Sequence, residues 1–385
     1  EVLDWRHVPA GDRSAALSDL EKAERKRGFD LSRAPLMRLK LIRLADDAHR
    51  LVWTWHHAIL DAWSAPIVLD ELFVLYAALC DGRAAGLEPP RPFKDFIAWQ
   101  RAQSDAGAEE FWRTRLDGFE EPTPLDFGPA PQAGAGADAG CSLEFIDLPA
   151  AEVLVLRNAA RAMGVTLSTV FLGAWALLLG RYADRRDVVF GTALAGRPPE
   201  LDGVESMVGL FINTLPMRVA IPPEAPLGDW LRELQRHQTE MRRYEHTPLA
   251  DVQTWSSVPR GMPLFESLLV FEDFASHRKV LSGGGLTMGA GGFVERASLP
   301  LSVTMTIGDV GRLGAGFEHG RFELTSILRM LGHLRTLLAE MARGGGRLLG
   351  DLDRHVDLRA FTPMLAMAQA DVDEARAMRQ GDWEI

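Results

Sequence analysis

Cysteine is nearly missing from this chain: Cys80 and Cys141 are the whole complement of its 385 residues. Two cysteines cannot build a disulfide framework or, by themselves, a zinc site, and a reducing cytoplasm is the compartment expected. Long apolar runs are missing as well. The longest, residues 170–179, stops at Gly180 and Arg181, short of the roughly 18 residues a membrane span needs; it reads as a buried helix, and no membrane partner is expected. Residues 1–30 carry no charged-then-apolar leader pattern. Positive charge is in deficit, with 42 basic against 53 acidic residues and a formal net charge of −11. That balance argues against nucleic acid as a partner, because a phosphate backbone rewards clustered Lys and Arg. An initiator Met is also missing. Glu1-Val2-Leu3-Asp4-Trp5 enters mid-pattern, so a piece cut from a longer chain is expected.

What is present is an ordinary globular composition, 47% apolar and 25% charged, in a chain long enough for a substantial core. Helix and strand signals alternate along it. Residues 17–28 read as an exposed helix, 51–55 as a strand, 56–64 as a loop, and 66–80 as a helix with apolar residues at helical spacing. Residues 93–115 read as a helix or a broken pair. The Gly-, Ala- and Pro-rich stretch 129–141 has no apolar periodicity and reads as a linker. Beyond it, 143–146, 187–191, 267–271 and 299–307 read as strands, and 150–163, 168–182, 227–243 and 324–342 as helices. The fold class expected is mixed α/β (α+β).

The sharpest local feature is His56-His57-Ala58-Ile59-Leu60-Asp61, directly after a strand. Imidazole titrates near neutrality, and a carboxylate four residues on can fix its tautomer or its loop, so the string suits acid/base work. Adjacent histidines at a strand end point apart, so one of them faces substrate. A metal pair and two structural histidines are the competing readings; no third ligand is evident, and neighbouring residues chelate poorly. The glycine runs 283–285 and 289–292 lack the Gly-Lys-Ser/Thr of a phosphate loop and read as mobile loop.

The string extends to Ala62-Trp63-Ser64, and the whole resembles the HHxxxDG signature of the condensation domains of nonribosomal peptide synthetases. Other segments resemble that family's motifs in order. They are Phe93-Lys94-Asp95-Phe96-Ile97-Ala98-Trp99, Asp187-Val188-Val189-Phe190-Gly191 with Ala195-Gly196-Arg197-Pro198, and Tyr244-Glu245-His246-Thr247-Pro248-Leu249. Val208-Gly209-Leu210-Phe211-Ile212-Asn213-Thr214 with Arg218 matches (V/I)GxFxNTxxxR closely, and Glu295-Arg296 with Leu299-Pro300-Leu301 is a looser fit.

The resemblance implies two chloramphenicol-acetyltransferase-like lobes forming a V with a central tunnel. Residues 1–128 are the N-terminal lobe, incomplete and carrying the histidine loop, 129–141 the linker, 142–350 the C-terminal lobe, and 351–385 an atypical tail or linker helix. The implied reaction is amide formation between a carrier-bound donor acyl or peptidyl thioester and the amine of a carrier-bound aminoacyl acceptor. No metal and no cofactor of the domain's own is expected. Phosphopantetheine arms arrive on donor and acceptor peptidyl carrier proteins, and an adenylation domain is the expected neighbour. By the same resemblance His57 is the catalytic residue, with His56 behind it. Asp61 holds the loop through a cation, for which Arg197 is the candidate. Trp63, Ser64, Asn213 and Thr214 are placed along the substrate tunnel, with packing the rival role for Trp63 and backbone bonding the rival for Asn213 and Thr214. Residues 244–248 fix a loop, with Thr247 as a cap. Arg181, Arg185 and Arg186 form a solvated basic face or a place for a phosphopantetheine phosphate.

Three features depart from the family pattern. Ala62 stands where the pattern has Gly, and a Cβ there costs about 1 kcal/mol if the position needs φ > 0. The N-terminal SxAQ-like and RHxxLR-like motifs are absent, which exposes apolar surface. Residues 351–385 do not resemble the usual run into an adenylation domain. The alternatives are a catalytically degenerate platform that binds carriers or a tailoring enzyme, an epimerisation-type relative, and a stand-alone acyltransferase.

Overall fold

The structure, a computed structural model, describes residues 1–103, 107–127, 141–273, 282–283, 285–289, 299–308 and 310–355. Most of the expected linker, the Glu295-Arg296 pair and the tail beyond residue 355 lie outside the described residues.

A small sheet opens the chain. Strands β1 (Val2–Asp4), β2 (Met37–Arg43) and β3 (His49–Trp55) lie in that order, β1 parallel and β3 antiparallel to β2. Helix α1 (Ala10–Arg27) starts earlier than its charged sequence suggests and ends on Gly28 at φ 58°. One face of β2 is inverted in polarity. Arg38 and Lys40 point inward and meet the buried Glu24 of α1 at 2.6 and 3.4 Å. Burial works to raise the Glu24 carboxyl, but Arg38 and Lys40 outweigh it and hold it below its usual value. The opposite face carries Met37, Leu39, Leu41 and Leu51, all exposed. Helices α2 (Ser64–Cys80), α3 (Lys94–Ala102) and α4 (Ala108–Arg115) follow, so the 93–115 stretch is the broken pair. Leu72, Leu75, Tyr76 and Leu79 of α2 are exposed too.

The second sheet has six strands: β4 (Cys141–Leu148), β5 (Asp187–Leu194), β6 (Asn213–Ala220), β7 (Ser267–Asp273), β10 (Leu301–Ile307) and β11 (Gly311–Glu318), in the order β4-β11-β10-β7-β5-β6. Between β7 and β10 sits a small hairpin, β8 (Ser282–Gly283) and β9 (Leu286–Thr287), with β8 against α2. Ser282–Gly283 and Leu286–Thr287 are therefore paired strands rather than plain loop, while residues 284 and 290–292 of the expected glycine loops lie outside the described residues. Helices α5 (Ala150–Met163), α6 (Leu167–Ala183), α7 (Leu227–Arg242), α8 (Leu249–Trp255), α9 (Leu324–Met341) and α10 (Leu349–His355) complete the mixed α/β fold.

The core lies around α6 and this sheet. Thr166 caps α6 by accepting from the Thr169 N–H at 3.1 Å, and its apolar residues are buried on all sides, as a helix without a polar face must be. In β10, Leu301, Val303, Met305 and Ile307 alternate inward at 0% exposure, the period of a strand with one face on a core. No single described helix is long and apolar enough to cross a membrane; α5 and α6 pass that test only together and are bent by 96° at their break. A second, smaller apolar cluster joins Phe96 of α3 to Leu201, Val204, Met207 and Phe211, with Phe93, Ile97 and Trp99 packed on it. It underlies the segment between β5 and β6.

Candidate functional site

Pairing of β3 with β2 runs out at Trp55 opposite Met37, and the His56 N–H makes a last bond to the Leu36 carbonyl at 2.9 Å. The chain then turns through a single 3-10 turn, His57–Ile59. The two histidines part here. His56 Nδ1 accepts from the Ala58 N–H at 3.1 Å, so its ring caps the turn, and it meets the Phe29 ring edge-on at 6.3 Å. His57 opens the turn and is exposed.

Four residues later the chain is clamped. Asp61 Oδ1 accepts from the Ser64 N–H at 2.8 Å and Oδ2 from the Phe211 N–H at 3.0 Å, while the Asp61 N–H reaches the Gly209 carbonyl at 3.3 Å. Arg197 Nη2 lies 3.4 Å from Asp61 Oδ1, and both side chains are only 4% exposed. Its Nη1 donates to the carbonyls of Val204 and Met207, and its guanidinium lies 3.9 Å from the Phe211 ring centroid. Burial pulls Arg197 below its ordinary value, and Asp61 works the other way. The sequence-predicted cation and carboxylate are thus brought together.

Ser64 differs from its expected place on a tunnel. It is fully buried at 0% exposure. Its hydroxyl donates to the Gly209 carbonyl at 2.9 Å and accepts from the Gly209 N–H at 3.1 Å and from Arg197 Nη2 at 2.9 Å. No capacity remains for a substrate. Trp63 is exposed and packs outside the clamp, its Nε1 donating to the Glu205 carbonyl at 3.1 Å. Asn213 takes its backbone-bonding role: Nδ2 donates to the Glu245 and Thr247 carbonyls, both at 2.8 Å, and Oδ1 accepts from the Thr214 N–H at 2.9 Å. Thr214 enters the structure as the second residue of β6, opposite Ala193. Thr247 is buried but does not cap α8, whose N-cap is Pro248.

Ala62 is not among the residues with positive φ. The expected penalty for a Cβ at that position therefore does not arise. Two glycines that local reading passed over matter more. At Gly196 (φ +62°) a Cβ would lie 1.8 Å from the Phe211 carbonyl oxygen, and at Gly209 it would lie 2.1 Å from the Phe93 ring. Gly196 lets the 196–211 segment close on itself at Phe211, and Gly209 lets it press on Phe93 at the start of α3. The signal available was their place inside two motifs.

The basic cluster is divided, since Arg185 pairs with Glu121. Among the described residues no three of His, Cys, Asp or Glu converge as metal ligands would. A cavity of about 680 Å³ lies elsewhere, between α4, the outer edge of β6 and α7, lined by Phe111, Arg115, Arg218, His237 and Tyr244 among others.

The family model described as Condensation domain matches residues 1–354. A linear gramicidin synthase of Brevibacillus parabrevis is 44% identical over 356 residues, which is 91% of this chain and 7% of that protein. A second linear gramicidin synthase protein from the same organism is 40% identical over 354 residues, again 91% of this chain and 7% of the relative. The chain therefore spans a small part of the curated relatives it matches. Among solved structures, the X-domain from teicoplanin biosynthesis superposes with a TM-score of 0.76 at 22% identity, covering 91% of this chain and 80% of that one. The first condensation domain of the CDA synthetase superposes with a TM-score of 0.69 at 18% identity, covering 91% and 77%.

Proposed function

Because the chain belongs to the condensation-domain family of nonribosomal peptide synthetases, we propose that it joins two carrier-bound acyl groups through an amide bond. Its fold is the chloramphenicol-acetyltransferase-like mixed α/β fold of solved condensation domains. The placement of His57 carries the reading. It is exposed on a 3-10 turn that is capped by His56 on one side and tied through Asp61 to Arg197 and Phe211 on the other. A turn held at both ends fixes where that imidazole stands, which is what positioning and proton transfer both require.

In the proposed reaction the acceptor amine nitrogen attacks the donor thioester carbonyl. A C–N bond forms, the carbonyl oxygen becomes an oxyanion, and the amine proton passes to His57. Collapse of the adduct breaks the C–S bond, and the leaving thiolate takes that proton back. The amide stays on the acceptor arm and a free thiol on the donor arm. Both arms are phosphopantetheine groups of peptidyl carrier proteins, charged by adenylation domains.

The test is single-turnover condensation between a donor-loaded and an acceptor-loaded carrier, read by mass spectrometry of the arms. Dipeptide on the acceptor carrier is expected, and His57→Ala should lower its rate at least about 10²-fold. An unchanged rate in the variant would remove His57 from the chemistry. Carrier binding without product in the native chain would leave a binding platform.

A further inference from the structure

The cavity of about 680 Å³ between α4 and α7 holds a charge without a partner. Arg115, the last residue of α4, lines it half-buried, and its guanidinium makes no hydrogen bond and no ion pair among the described residues. Arg50 is the one other half-buried arginine of which this holds, and it lines no part of the cavity. The polar groups around Arg115 are engaged elsewhere. Arg218 donates to both Asp187 oxygens at 2.7 to 3.1 Å, and its Nη1 donates to the Arg115 and Asp117 carbonyls. Glu240 is held by Arg236, and His237 Nε2 lies 2.7 Å from Glu233 Oε1. Burial pulls Arg115 below its ordinary value, Glu240 works against that pull, and Arg236 adds to it. A half-desolvated guanidinium with unused donors, on the wall of an open volume, is a place where an anion is favoured.

The rest of the lining narrows the choice of anion. Phe111 stands four residues before Arg115, on the same face of α4, and its ring stacks on Tyr244 with centroids 4.6 Å apart and planes 27° apart. The cavity therefore has an aromatic wall beside its free charge, and its volume lies in the roughly 300–1,000 Å³ range of small-molecule sites. Three carboxylates share the lining: Glu110, Asp187 and Glu240. Asp187 is balanced by Arg218 and Glu240 by Arg236, while Glu110 is exposed. One negative charge matches Arg115. The second charge of a phosphate monoester would be set against those acids.

We infer that this cavity is a second binding site, which takes a monocarboxylate with an aromatic or apolar body, the carboxylate on Arg115 and the body against Phe111 and Tyr244. No residue of the stretch 56–64 lines it, so the inference stands independently of the amide-forming reading.

The probes are N-acetylphenylalanine, its primary amide and phenyl phosphate, titrated calorimetrically into the whole chain. The acid should bind about ten-fold more tightly than the amide, and more tightly than phenyl phosphate. In Arg115→Met the acid and the amide should bind alike, while the melting temperature stays level or rises because a charge that burial disfavours is gone. Arg115→Lys should keep part of the preference, since an ammonium supplies charge without the planar fork. A second readout locates the ligand: the acid should shift the NMR resonances of the His237 ring, assigned with His237→Gln. Should Arg115→Met melt early, the partial loss in Arg115→Lys and the His237 shift decide the matter. No preference for the acid in the native chain, a preference undiminished by the substitutions, or a bound acid that leaves His237 unshifted overturns the inference. Tighter binding of phenyl phosphate than of the acid overturns it as well.

Discussion

Asp61 meets three obligations with two oxygens, and they are not separable. It holds the start of α2 through the Ser64 N–H, the approach to β6 through the Phe211 N–H, and the buried charge of Arg197. Replacing it by Asn keeps the shape but puts an NH₂ where an acceptor is needed and leaves the guanidinium without its counter-charge. Removing one partner of a buried pair costs about 3–5 kcal/mol, so Asp61→Asn should lose stability on that scale in chemical denaturation. The Asp61→Asn and Arg197→Met double variant should lose less than the two single losses combined, because the groups are coupled. A loss below about 1 kcal/mol would show that the clamp is ordinary surface chemistry.

At the scale of elements, the stretch that matters has no regular structure along most of its length. Residues 195–212 leave β5, fold over Phe96 and Phe93, and return as β6. Gly196 makes the first turn possible, since its backbone is left-handed and its missing Cβ is where the Phe211 carbonyl oxygen sits. Gly196→Ala should therefore cost more than the roughly 1 kcal/mol of the backbone conformation alone. It should also slow condensation, because Phe211 must move and Asp61 with it; denaturation midpoints and turnover read the two effects separately. The sequence reads well where structure is decided locally. Helix α5 was legible to the residue between Pro149 and Gly164, and α6 from its apolar run. β2 went unread because its inward face carries Arg38 and Lys40, whose burial depends on Glu24 of another element. β11 went unread because of Gly311, Gly314 and Gly316. A Cβ at these positions would meet Val153, Phe145 and Ser302, so the glycines record neighbours rather than a turn. The site follows the same rule. His57 and Asp61 stand in a recognisable string, whereas the pairing of Ser64 with Gly209 joins residues 145 positions apart and has no local sign.

For the whole molecule, apolar exposure is concentrated on the outer face of the small sheet and on α2, where Leu39 is 48% and Leu79 is 77% exposed. Exposed apolar surface of this kind drives association. Leu39→Lys with Leu51→Lys places two charges on adjacent strands of that face. The pair should change unfolding free energy by no more than about 1 kcal/mol while lowering dye binding and the aggregated fraction in size-exclusion chromatography. A large loss of stability would mean that the face is held in a contact of its own. The clamp has a mechanical consequence for the same molecule. The bonds among residues 61, 64, 209 and 211 tie the histidine loop to the approach to β6 at one place, a few residues along the chain from His57. If one sheet rocks against the other about this tie, the long lever arms lie at the outer ends of the helices and strands, and the imidazole, close to the tie along the chain, is displaced least.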